Sequence, residues 1–188
     1  MYLALLNDSK LYEFLLQIDR DLAETARQSA CRFCGDRLHS ACYLRKPRGV
    51  PEDIDPGPEY PVRFSFCCRA EACRRRHTPP SVRFLGRRVY LGVMVVLLTV
   101  MRQGPTPRSV ESLQAIFGVG PRTLVRWQTW WHDIFPKSGF WRRVKARFMP
   151  AVAEADLPGA LVLRFQGETL LQRIILLLTF LSPSSQAL

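Results

Sequence analysis

Acidic residues are scarce where this sequence is most basic. Between Arg63 and Phe148 only Glu71, Glu111 and Asp133 are acidic, against 17 lysines and arginines, a local excess of 14. Residues 1–62 hold 8 basic and 10 acidic groups and residues 149–188 hold 2 and 3, so the formal charge of +11 comes from the middle of the chain. Charge of one sign gathered on one stretch suits a surface that meets a polyanion.

Long apolar runs are missing too. Residues 89–101 and Ile174–Leu181 are strongly apolar, yet neither reaches the roughly 18–20 residues needed to cross a bilayer core. The first residues, MYLALLNDSK, lack the basic start, long apolar stretch and small-residue cleavage site of a secretion signal. Both apolar runs therefore read as buried helices, with no membrane partner and a cytoplasmic location. There is no glycine-rich phosphate loop ending in Lys-Ser/Thr and no Gly-x-Ser-x-Gly elbow, and His39, His77 and His132 have no evident acid partner. No enzyme is expected.

What is present begins with six cysteines, which in a reducing compartment point to metal more than to disulfides. Cys31-Arg-Phe-Cys34-Gly35 has knuckle spacing: two intervening residues let a tight turn aim both thiolates at one ion, and Gly35 permits the backbone the turn needs. A closed site requires a second pair from Cys67, Cys68, Cys73 and His77. Phe64, Phe66 and Cys68 alternate onto one face of a strand-like stretch, Tyr60–Cys68, which favours Cys68 over Cys67. The expected ligands of one structural zinc ion are Cys31, Cys34, Cys68 and Cys73. A local set of Cys31, Cys34, His39 and Cys42, and thiols without any metal, stand as alternatives. Arg74, Arg75 and Arg76 follow the last cysteine as a phosphate clamp, joined by Arg83, Arg87 and Arg88.

The second signal lies between Ser112 and Trp127. Leu113, Ile116 and Phe117 supply the inner face of a helix that starts at Thr106-Pro107, Gly118 can take positive φ, and Val119 plugs the core. Pro121 opens a second helix that buries Leu124, Trp127 and Trp131 and reaches about Phe135, where Pro136 stops it. Its free face carries Arg122, Thr123, Arg126 and Thr129, suited to the major groove of DNA. Beyond it, Arg142 and Arg143 sit in a basic, aromatic segment, Phe140–Phe148. The tryptophans there are ordinary core residues by spacing, with stacking on unpaired bases as the alternative.

The rest reads as an amphipathic helix in residues 1–28 (capped at Asp8 or Ser9, with Leu11, Phe14, Leu15, Ile18 and Leu22 inward), a cysteine unit in 29–80, a helix-turn-helix domain in 81–148 opening on a buried helix from Arg83 to Gln103, and a linker and apolar helix in 149–188. The fold class expected is mainly α with a small β zinc ribbon and a tri-helical helix-turn-helix.

The run CRFCG … RKPRG … FCCRAEACRRRHTPPSVRFLGRRVYLG, followed by L-x-x-x-F-G-V-x-x-x-T-L-x-R-W, resembles zinc-ribbon and helix-turn-helix proteins of bacterial insertion sequences over about residues 29–135. Gln114 stands where that family usually has Ala, and Gly120 where it often has Ser. The nuclease domain that follows in such transposases has no counterpart: only Asp133, Glu154, Asp156 and Glu168 remain as acids. The resemblance implies double-stranded DNA as partner, in transposition beside a transposase or in transcription regulation, with a homodimer as one arrangement. Two other functions are compatible with the residues: RNA or single-strand binding through the ribbon and the Trp/Arg segment, and a zinc-stapled protein-interaction module.

Overall fold

The computed structural model describes residues 2–85, 91–103 and 116–183. Its described residues are mainly helical, with short antiparallel strands confined to residues 38–77. Helix α1 (Tyr2–Leu6) leads into α2 (Ser9–Gln28), where the side chain of Asp8 accepts from the Lys10 amide at 3.0 Å and caps the helix. The inward face of α2 is Leu11, Tyr12, Leu15, Leu16, Asp19 and Ala23. That stripe is rotated from the expected one: Phe14 is exposed and Ile18 and Leu22 are half-buried. The rotation follows from what α2 must hold, because Asp19 belongs to the interior.

The strands form two small sheets. β1 (Leu38–Ser40), β4 (Phe66–Cys68) and β5 (Arg76–His77) pair antiparallel in the order β1-β4-β5. β2 (Tyr43–Leu44) pairs with β3 (Val62–Arg63) on either side of a loop rich in Pro, Gly and acids, residues 46–61, so that loop is an excursion inside the cysteine unit. Phe66 and Cys68 are buried while Cys67 between them is half-exposed, as the alternation requires.

Helix α3 starts at Gly92 and runs to Gln103, later than the Arg83 start read from the sequence. Residues 81–84 are occupied differently. Phe84 bridges to Leu91, the Gly92 amide donates to the Arg83 carbonyl at 2.7 Å, and Arg83 itself is fully buried. Its Nε donates to Asp19 Oδ2 at 2.8 Å, Nη2 donates to the Val62 carbonyl at 2.9 Å, and Nη1 donates to the Tyr60 carbonyl. Asp19 also accepts from the Ser81 hydroxyl at 2.5 Å and the Val82 amide at 2.7 Å. A phosphate contact through Arg83 is therefore excluded: the guanidinium has no route to solvent.

After Gly118 (φ +60°) and the buried Val119, helix α4 (Pro121–Thr129) begins with Gly120 as N-cap and continues as a π-helical turn, Trp130–Ile134. Leu124, Trp127 and Trp131 face inward as expected, and the Trp131 indole donates to the Val95 carbonyl of α3 at 3.4 Å. α5 (Gly139–Val144) buries Trp141, α6 is the short Gly159–Val162, and α7 (Leu170–Leu181) is closed by a Thr169/Gln172 capping box. α7 packs on α3 and α1, so both ends of the described chain share the core with the middle. No described helix is long and apolar enough to cross a membrane. Outside the described residues lie Arg87, Arg88 and residues 106–115 of the first helix of the proposed turn motif, with Ser112, Leu113 and Gln114; of its expected inner face Phe117 is buried, but Ile116 is exposed, because the core at this point takes Phe117 and Val119.

Candidate metal centre

Two turns of the same shape bring the cysteines together. In the first, the Gly35 amide donates to the Cys31 carbonyl at 2.7 Å, Cys34 is the fourth residue, and Gly35 takes φ +77°. In the second, the Arg74 amide donates to the Ala70 carbonyl at 2.9 Å, Cys73 is the fourth residue, and Arg74 takes φ +45°. Ala70 thus occupies the place that Cys31 fills in the first turn. The remaining thiol comes from Cys68, two residues earlier on β4, and this explains a C-x4-C spacing opposite a C-x2-C. Arg74 does in the left-handed region what glycine does at position 35. An L side chain there costs about 1–2 kcal/mol, partly offset by the greater unfolded-state freedom of glycine. Arg74→Gly is accordingly expected to leave thermal stability unchanged or to raise it, in melting curves of the metal-loaded protein.

The sulfurs of Cys31, Cys34, Cys68 and Cys73 lie within 4.8 Å of one another. Cys31 and Cys73 are 3.7 Å apart and Cys34 and Cys68 are 3.4 Å apart. A tetrahedral ion with metal–sulfur bonds of about 2.3 Å sets its sulfurs roughly 3.8 Å apart, so this donor set fits one four-coordinate metal ion. Cys31 and Cys68 are buried, and with Ala23, Leu38 and Phe66 they form a small core of their own beneath α2.

Electrostatics in this cluster pull in two directions. Desolvation raises the Cys31 thiol, but the amides of Phe33 and Cys34 and the adjacent His77 ring outweigh it and lower the pKa to about 6. Desolvation and the neighbouring Cys34 sulfur push Cys68 up to about 12. An ion must displace the proton that Cys68 would otherwise keep.

The other candidates fall outside the set. Cys67 points away and its sulfur lies 3.3 Å from the Arg74 carbonyl. Cys42 is exposed, 3.3 Å from the Ser40 hydroxyl, and His39 is exposed on β1. His77 adjoins one thiol only, its Nε2 3.3 Å from Cys31 Sγ, as a neighbour that orients the ligand. The local set of Cys31, Cys34, His39 and Cys42 is not brought together.

The basic residues divide by position. Arg74, Arg75 and Arg76 are exposed on the second turn and β5; Arg122 and Arg126 are exposed and Thr123 half-buried on α4, with Thr129 exposed at its end. The Arg126 guanidinium donates to the Thr123 hydroxyl at 3.3 Å, so these two side chains form one surface unit. Arg142 and Arg143 are exposed on α5. Trp127, Trp130, Trp131 and Trp141 are all buried, which removes the tryptophans as a stacking surface. Beside these surfaces stand two exposed apolar residues that no expectation covered: Val125 on the same face of α4 as Arg122 and Thr129, and Phe33 inside the first turn. Helical spacing marks Val125, whereas nothing local marks Phe33. No protein-family model, curated protein or solved structure matches this chain.

Proposed function

We propose that this protein binds double-stranded DNA in a sequence-dependent manner, with α4 in the major groove and a zinc ribbon gripping the phosphates, and that it has no catalytic centre of its own. The observation that carries this reading is α4 itself. It follows a positive-φ glycine and a buried Val119, buries Leu124 and Trp127, and turns Arg122, Val125, Arg126 and Thr129 outward from its first turns. A recognition helix needs that division, with arginines for guanine and an apolar group for the thymine methyl. The four-thiolate set favours zinc by softness and geometry, and its closed shell leaves no position for substrate. Participation in transposition beside a transposase, or in transcription control, is the setting this chemistry suits.

The test is a pair of affinities for each variant. Arg122→Ala or Arg126→Ala should lose about 1–3 kcal/mol on a site selected from a random duplex library and far less on random duplex. Trp127→Ala should instead lower stability by about 3–5 kcal/mol, seen in denaturant melts. Full discrimination retained by both arginine variants would remove α4 as the reader of sequence. Duplex affinity should also fall steeply with salt, by a slope of about −0.9 per neutralised phosphate. Replacing Arg74, Arg75 and Arg76 together by Ala should flatten that slope for all duplexes alike, and an unchanged slope would leave the ribbon arginines off the DNA.

A further inference from the structure

We infer that Phe33, flanked by Arg32 and Arg75, is a stacking site for an unpaired nucleobase, separate from the duplex surface of α4. Phe33 is 48% exposed at the third position of the first cysteine turn. The equivalent position of the second turn is Ala72, so the turn itself does not require an aromatic ring. The Arg75 guanidinium carbon stands 4.3 Å from the Phe33 ring centroid and that of Arg32 stands 4.9 Å away. From the inner side the His77 ring meets Phe33 edge-on, with centroids 5.5 Å apart. The ring is thus held on a turn closed by the Cys31–Gly35 and Cys31–Asp36 backbone hydrogen bonds, at 2.7 and 2.8 Å.

The charge around this plate selects the occupant. Residues 31–37 and 67–77 carry Arg32, Arg37, Arg69, Arg74, Arg75 and Arg76 against Asp36 and Glu71. A ring with two exposed guanidinium groups over it, which a base can stack upon or displace, suits a ligand that is itself flat and polyanionic. Bases offer a π-face to aromatic and guanidinium planes alike, while phosphates engage the neighbouring arginines. In a duplex that base face is covered by its neighbours in the stack, whereas a strand end, loop or melted segment leaves it open. The site uses no residue of α4, but Arg75 also stands among the ribbon arginines assigned to duplex phosphates, so Phe33 is the residue whose variants separate the two readings.

The experiment uses the full, metal-loaded chain and fluorescence anisotropy with labelled oligothymidylate, oligouridylate, an abasic strand of equal length and a random duplex. The wild type should prefer oligothymidylate to the abasic strand, which has the same phosphates and no bases. Phe33→Ala should weaken oligothymidylate binding by about 5- to 150-fold and abolish that preference. Phe33→Leu keeps an apolar cover over the metal turn and should lose the preference as well, while Phe33→Trp should keep it. Duplex affinity should stay within about twofold in all three variants, and equal metal content should show that the turn is intact. Equal binding of oligouridylate and oligothymidylate supports a site for any unpaired base; a gap between them still supports it and names the sugar preferred. Wild-type binding that treats the abasic strand and oligothymidylate alike would overturn the proposal, leaving phosphate contact alone. So would Phe33→Leu with undiminished affinity, or displacement of the oligonucleotide by polyglutamate at equal charge.

Discussion

Asp19→Ala is expected to destabilise the protein by about 3–5 kcal/mol, read as a lower urea midpoint with an unchanged slope. Asp19 and Arg83 are 1% and 0% exposed, and the two share the only ion pair among the described residues in which neither side chain reaches solvent. Removing the carboxylate leaves a buried guanidinium without its counter-charge, and takes away the acceptor that Asp19 offers to the Ser81 hydroxyl and the Val82 amide. The guanidinium also lies 5.1–5.4 Å from the ring centroids of Tyr60, Phe64 and Phe84, so it cannot swing out without opening the core. For a domain stable by about 5–15 kcal/mol, a loss of that size approaches unfolding. Adding Arg83→Met to Asp19→Leu should recover part of the loss, since two well-packed apolar residues need no mutual charge. A double variant as unstable as the sum of the singles would mean that the pair is not energetically coupled.

The second large effect is loss of the metal. Protein purified without chelator should hold one zinc per chain, and Cys31→Ser or Cys73→Ser should hold none. The cysteine unit should then lose its protection from protease, because its own core is only Ala23, Cys31, Leu38, Phe66 and Cys68 and two of those belong to the candidate ligand set. For a structural site, metal binding and folding of the unit are one free energy, about 10–16 kcal/mol in zinc-binding peptides near neutral pH. The helical core of α3, α4 and α7 should survive, so far-UV circular dichroism would fall only in part. Cys42→Ser and Cys67→Ser should retain the ion. Uptake must release protons, most of all from Cys68, whose thiol is pushed up to about 12 in the metal-free cluster. Zinc affinity should therefore fall as pH falls, measurable by competition with a chromophoric chelator across pH 5–8. No zinc in the purified protein would leave the four thiols as a small sulfur-lined core.

Patterns with a short period were readable in advance. The Cys31/Cys34 turn, the preference for Cys68 over Cys67, the positive φ at Gly118 and the inward Leu124, Trp127 and Trp131 each depend on residues a few positions apart. Backbone sterics, strand alternation and the helical repeat act over that range. They describe which side of an element is apolar, and the core takes that side.

What the sequence by itself determined, then, was the cysteine pairing and the division of α4 into a buried and a free face. Only the tertiary structure decided which charged residues are interior. Arg83 reads like Arg74 or Arg122 in sequence, but its partner Asp19 is 64 positions away and the carbonyls of Tyr60 and Val62 complete its shell. The same contact moved the start of α3 to Gly92 and rotated the buried face of α2 away from Phe14. Phe33 is the converse: an aromatic that composition assigns to the core stands at the surface, because the turn that carries it is shaped by backbone hydrogen bonds and four thiols. Burial of a charge or exposure of a ring depends on partners distant in sequence, and no local period encodes where those partners come to lie.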